Sequence, residues 1–176
     1  MLLAQMQSGK TGTYLRIALE GIHRGFFEKV YIICGSCDVA LREQTKGSLK
    51  SAIKSFSLEK IPSDSGAYEC LKEKLTDCIE VFWNNDLKKK APVIEEKCLI
   101  INDEAHYAQS KGNNPYKFWK KSGLEKCLFG DFTPLREKDI RILSVSATPF
   151  SEFVQNQKVL LGVEMETDVP LSQKNV

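Results

Sequence analysis

The stretch AQMQSGKT, Ala4–Thr11, decides how this chain is read. A short apolar run, Met1–Gln5, leads into it. A helical spacing of apolar residues, Leu15, Ile17, Ala18, Leu19 and Ile22, follows over about Thr11–Arg24, and Gly25 is placed to stop it. A strand that passes through a glycine–lysine turn into a helix is a device for holding anions. Gly9 permits close backbone approach, and the first turn of the helix offers inward N–H groups and the positive end of its dipole. Lys10 brings a cation able to reach the outer phosphates of a nucleotide, and Thr11 brings a hydroxyl suited to Mg²⁺. Gln7, Ser8, Gly9, Lys10, Thr11 and Gly12 are therefore the candidate phosphate cradle. The general pattern G-x-x-x-x-G-K-[ST] has glycine first where this chain has Ala4, so the flanking strand and helix carry the assignment.

Further along, Cys98–Ile101 is a continuous apolar run that ends in the acidic string DEAH, Asp103–His106. A triphosphate needs a cradle for its oxygens and an acidic anchor for its magnesium, and the two strings supply one each. Asp103 is the candidate Mg²⁺ anchor, acting through water. Glu104 is placed to polarise an attacking water, as a positioned carboxylate can. His106 suits coupling of the nucleotide site to the next strand, or a structural hydrogen bond. A third string, SATP at Ser146–Pro149, closes the strand Ile140–Ser144. Its hydroxyls Ser146 and Thr148 suit hydrogen bonding to the acidic string, and an ordinary capped turn reads the same way.

Between these strings, Lys29–Cys34 is a β-branched strand, Val39–Phe56 has helical spacing that Gly47 threatens to break, and Ile61–Gly66 reads as a loop. Tyr68–Trp83 reads as one amphipathic helix with Leu71, Leu75, Ile79 and Phe82 on a face. Asp86–Pro92 reads as a basic turn. Tyr107–Lys138 reads as irregular, with a short helix near Tyr116–Lys121. Ser151–Gln157 reads as a helix and Lys158–Glu166 as a last strand. Strands alternating with helices, with central strands apolar on both faces, predict an α/β fold: a mostly parallel sheet with helices on both sides. Ligands of such sheets sit at the carboxyl ends of the strands, and all the candidate strings fall there.

The bulk properties set limits. The chain has 176 residues, enough for one α/β domain with a core, and is 42% hydrophobic and 27% charged. A net charge of +2 is too mild to argue for nucleic acid by itself. The apolar runs are strand-sized, far short of the ~20 residues of a membrane span. The N-terminus lacks the pattern of a signal peptide. Cysteines at 34, 37, 70, 78, 98 and 127 then read as reduced thiols of an intracellular protein, cytoplasmic or nuclear. Cys34-Gly-Ser-Cys37 has no second pair to complete a zinc site.

Taken in order, AQMQSGKT, DEAH and SATP resemble motifs I, II and III of the superfamily 2 helicases and translocases. Alanine in the first position of motif I is common in that family. Gly35–Gln44 lies where motif Ia falls, with Leu41, Arg42 and Gln44 similar to its pattern. The resemblance covers roughly residues 1–155 and implies a P-loop NTPase domain of RecA-like fold. It implies ATP and Mg²⁺ as ligands, ATP hydrolysis, and DNA or RNA as the track, with Arg42 as a phosphate contact. It divides the chain into a RecA-like ATP-binding domain over 1–157 and a strand with a polar tail over 158–176. The family's second RecA-like domain, with its arginine finger, is expected in a partner chain or a longer product. Without a finger, worth ~10³-fold or more in rate, turnover is expected to be slow.

Lys111, Lys117, Lys120, Lys121 and Lys126 interleave with Tyr116, Phe118 and Trp119. The pattern suits a polynucleotide, and it suits better a solvated helix whose aromatics face the core. Lys88–Lys90 reads as a solvated turn. The leading expectation is a helicase or translocase motor. The alternatives are a non-catalytic nucleotide-binding or scaffold module and the motor subunit of a restriction-type nuclease.

Overall fold

The computed structural model describes residues 2–3, 9–34, 39–83, 87, 93–103, 114–129 and 131–146. In chain order these form β1 (Leu2–Leu3), α1 (Lys10–His23), β2 (Lys29–Cys34), α2 (Val39–Lys60), α3 (Gly66–Asp77), β3 (Ile79–Trp83), β4 (Cys98–Asp103), α4 (Asn114–Lys121), a 3-10 turn (Glu125–Phe129), α5 (Thr133–Glu137) and β5 (Arg141–Ser146). The strands make one five-stranded sheet in the order β1-β5-β4-β2-β3. Every pairing is parallel, as the doubly apolar strands require.

Strand alternation separates two cores. Val30, Ile32 and Cys34 of β2, with Leu99 and Ile101 of β4, face a layer built from α1, α2 and α3, where Leu15, Leu19, Ile22, Phe56 and Leu75 pack. Tyr31 and Ile33, with Cys98 and Ile100, face the opposite layer, where Phe118 and Trp119 of α4, Leu124 and Cys127 pack. The aromatics of α4 thus serve the core, while Lys117, Lys120, Lys121 and Lys126 are exposed, as the helix-face reading expected.

The segment Tyr68–Trp83 corrects the sequence reading. Its helix ends at Asp77, and Ile79–Trp83 is an edge strand parallel to β2. The residues Leu71, Leu75 and Ile79 do share one apolar surface. Ile79 reaches it from a strand because Cys78 caps the helix, donating to Lys74 O and Thr76 O. The β-branched and aromatic run IEVFW then prefers the pleated edge. Gly47 does not break α2, which runs through it and a turn beyond Phe56. Thr133–Glu137 adds a short helix in the segment read as irregular, begun by Pro134. Asp86, Lys88–Pro92 and the elements read at Ser151–Gln157 and Lys158–Glu166 lie outside the described residues.

Two helices close in the same way. Gly25, at φ 72°, lets Phe26 N–H reach Gly21 O and its own N–H reach Ile22 O. Gly123, at φ 73°, does the same for α4, with Leu124 N–H on Trp119 O. Both are Schellman closures that require a left-handed residue, and each turns the chain back toward the sheet.

Candidate nucleotide-binding site

The site is built at the carboxyl edge of the sheet. Gly9 is the N-cap of α1 with φ 79° and ψ 18°, a left-handed conformation that an L side chain adopts at a cost. Its carbonyl accepts from Thr13 N–H at 3.0 Å and Thr13 Oγ1 at 3.2 Å. Lys10 and Thr11 therefore occupy the first positions of α1, with Gly12 behind them. Gln7 and Ser8 lie outside the described residues. A shallow groove of about 490 Å³ runs from Gly12 and Leu15 along Ser48, Ser51 and Ser55 of α2. It flanks α1 and does not include Asp103.

Asp103 ends β4. Its register partners are Cys34 of β2 and Val145 of β5, and Cys34 is paired in turn with Trp83 of β3. These three partners are buried in the core beneath α1, α2 and α3. The carboxylate is thus set in an otherwise apolar row across four strands. It accepts a hydrogen bond at Oδ2 from the Tyr14 hydroxyl, 3.1 Å away. Tyr14 is wholly buried on α1, three residues after Thr11. Burial first, and then the charge of Asp103, push the Tyr14 phenol well above its ordinary range, so it stays protonated as a donor. The same two causes push up the Cys34 thiol, which leaves it a neutral packing group.

The topology sets the strands that lead into the three strings side by side. β5 lies between β1, which feeds the glycine–lysine turn, and β4, which ends in the acidic string. Ser146, buried at the end of β5, is paired with Leu3 of β1, and its neighbour Val145 with Asp103 of β4. Gly9, Lys10, Thr11, Gly12, Asp103 and Ser146 are described. Glu104, His106 and Thr148 lie outside the described residues. Arg42, in the first turn of α2, lays its guanidinium over the Trp83 ring, 5.7 Å from its centre.

The model of the family described as Type III restriction enzyme, res subunit, matches residues 5–151. The chain belongs to the Type III restriction enzyme res-subunit family. Domains of the res-subunit family bind ATP and are typically ATPases of the helicase type. The RecA-like α/β arrangement is the one that res-subunit membership and the parallel sheet both support. No curated protein and no solved structure gives a significant match. Among the described residues, no helix is long and apolar enough to cross a membrane.

Tyr14 was not legible as part of the site. Its one signal is that it stands three residues after Thr11, a spacing that shares a helix face. Nothing in the sequence tells that this face meets Asp103, 89 residues further on.

Proposed function

We propose that this chain is the ATP- and Mg²⁺-binding motor domain, residues 1–157, of a DNA-acting enzyme, in which ATP hydrolysis drives movement along the duplex. The observation that carries the reading is the hydrogen bond to Asp103 from buried Tyr14, on the helix that begins with Lys10 and Thr11 after the left-handed Gly9 turn. The donor set suits Mg²⁺, which takes hard oxygen ligands: a hydroxyl from Thr11 and a carboxylate from Asp103, the latter bonded to Tyr14. Thr11 and Asp103 would hold the ion, which when bound would supply positive charge that neutralises charge developing on the nucleotide.

The chain's own residues would do the rest. Gln7, Ser8 and Gly12 complete the cradle with Gly9, and the first N–H groups of α1 face the phosphates. Lys10 pairs with their outer oxygens. Glu104 accepts a proton from, and orients, the attacking water. His106, Ser146 and Thr148 relay the state of the site to β5, which lies between the two halves of the site. Arg42 contacts a backbone phosphate from its stacked position on Trp83. A second RecA-like domain, in a partner chain or a longer product, supplies the arginine finger, and 158–176 leads toward it. Of the settings open to such a motor, the family description favours the motor of a restriction-type enzyme, hence DNA over RNA.

The test is ATP turnover by the purified chain with and without duplex DNA, single-stranded DNA and RNA, beside Lys10→Ala and Glu104→Gln. Lys10→Ala is expected to lose nucleotide binding while the fold survives. Glu104→Gln is expected to retain ATP and lose turnover, and duplex DNA is expected to stimulate the wild type most. Unchanged ATP affinity in Lys10→Ala sinks the cradle assignment. Nucleotide binding with no turnover under any condition favours the non-catalytic module.

A further inference from the structure

We propose that Tyr14 is a positioning residue of the nucleotide site, its hydroxyl holding the Asp103 carboxylate in one orientation for the divalent cation that accompanies the nucleotide. The inference rests on the nucleotide-site reading and adds a residue and a role to it.

Packing alone does not explain a tyrosine here. The ring is wholly buried against α1's core neighbours, and phenylalanine fills the same volume without a polar atom. A buried hydroxyl costs free energy unless it is bonded. This one donates to Asp103 Oδ2 at 3.1 Å. Asp103 stands in a row with Val145, Cys34 and Trp83, all buried. The bond to Oδ2 restricts how far the carboxylate can turn there. The same bond ties α1 to the end of β4. It orients the carboxylate oxygens suited to the cation, which is how a neighbouring group tunes a metal ligand.

The experiment is a titration of Mg²⁺ against binding of a fluorescent ATP analogue to the full chain, with a parallel series in EDTA. Mn²⁺ binding to the nucleotide complex, read by electron paramagnetic resonance, is the second readout. Tyr14→Phe is expected to raise the Mg²⁺ concentration for half-maximal effect by about tenfold, the scale of a hydrogen bond to a charged group. It should leave the metal-free affinity unchanged. Tyr14→Met, which also lacks the donor, is the second variant and should shift the same way. In an Asp103→Asn background the Mg²⁺ effect should already be small, and adding Tyr14→Phe should change it no further. An unshifted Mg²⁺ titration in both tyrosine variants overturns the role of Tyr14 and leaves the nucleotide site standing. A tighter Mg²⁺ response overturns it as well, since the phenol would then compete with the cation. If the wild type binds no nucleotide, or Lys10→Ala binds it equally well, the site reading itself fails and this role falls with it.

Discussion

At the scale of single residues, Gly9 and Asp103 stand out in two senses. A Cβ added at Gly9 meets nothing within 4 Å, so space does not demand glycine there. The backbone does, because φ is 79°. Gly9→Ala is therefore expected to destabilise by roughly 1–2 kcal/mol through conformation alone. Thermal unfolding should register a fall of a few degrees, and no change in melting temperature would refute the left-handed turn. Asp103 stands out in the other sense: its register partners Cys34 and Val145 are buried in the core, and its carboxylate accepts from the Tyr14 hydroxyl among them. Glycine before lysine and the paired acids were readable without coordinates, because each is a local device. Tyr14 was not, because its meaning lies in what it faces.

At the scale of elements, two helical glycines separate packing from propensity. A Cβ on Gly21 of α1 would lie 2.3 Å from the Phe27 ring, which folds back onto the helix after the Gly25 turn. Gly21→Ala is expected to cost about 1–3 kcal/mol by overpacking. Gly47, exposed in the middle of α2, has nothing within 4 Å of its Cβ. Gly47→Ala is expected to stabilise by roughly 0.5–1 kcal/mol through helix propensity. Denaturant unfolding of the two variants should move in opposite directions, and a shared direction would contradict the packing around α1. The boundary between α3 and β3 belongs to this scale too. Leu71, Leu75 and Ile79 keep a helical spacing, yet Ile79 sits in the same core as the first residue of a strand. Short apolar runs fit either period, and the free edge of β2 decided the matter by offering a ladder of parallel hydrogen bonds.

Across the whole molecule, α1 and α2 are clasped by charge as well as by core. Arg16 pairs with Glu20 at 3.0 Å and with Glu59 of α2, and Lys60 bonds Glu20 at 3.0 Å across the same seam. Arg16 and Lys60 both lie over the Phe56 ring, 4.9 and 5.1 Å from its centre. The Arg16 hydrogen bond holds the Glu59 carboxyl at about 2, against an ordinary value of 4.5. A carboxyl lowered in the folded state adds stability above its unfolded value and loses it as pH falls through the folded one. Acid should therefore weaken the clasp between about pH 4.5 and pH 2, and Glu59→Gln should flatten that part of the stability profile. The Arg16–Glu59 pair is exposed, so high salt should shrink the difference between the two proteins. An identical acid limb in both would remove Glu59 from the clasp. The sequence by itself determined the alternation of strands and helices, the doubly apolar β2 and β4, the glycine–lysine turn and the acidic string, since each is written in neighbouring residues. The tertiary structure alone decided the order β1-β5-β4-β2-β3, which sets β5 between β1 and β4. It alone placed Tyr14 against Asp103 and Arg42 over Trp83. The physical reason is range: propensity and periodicity act over a few residues, whereas strand order and the partner of a buried hydroxyl are fixed by burial and pairing among segments far apart in the chain.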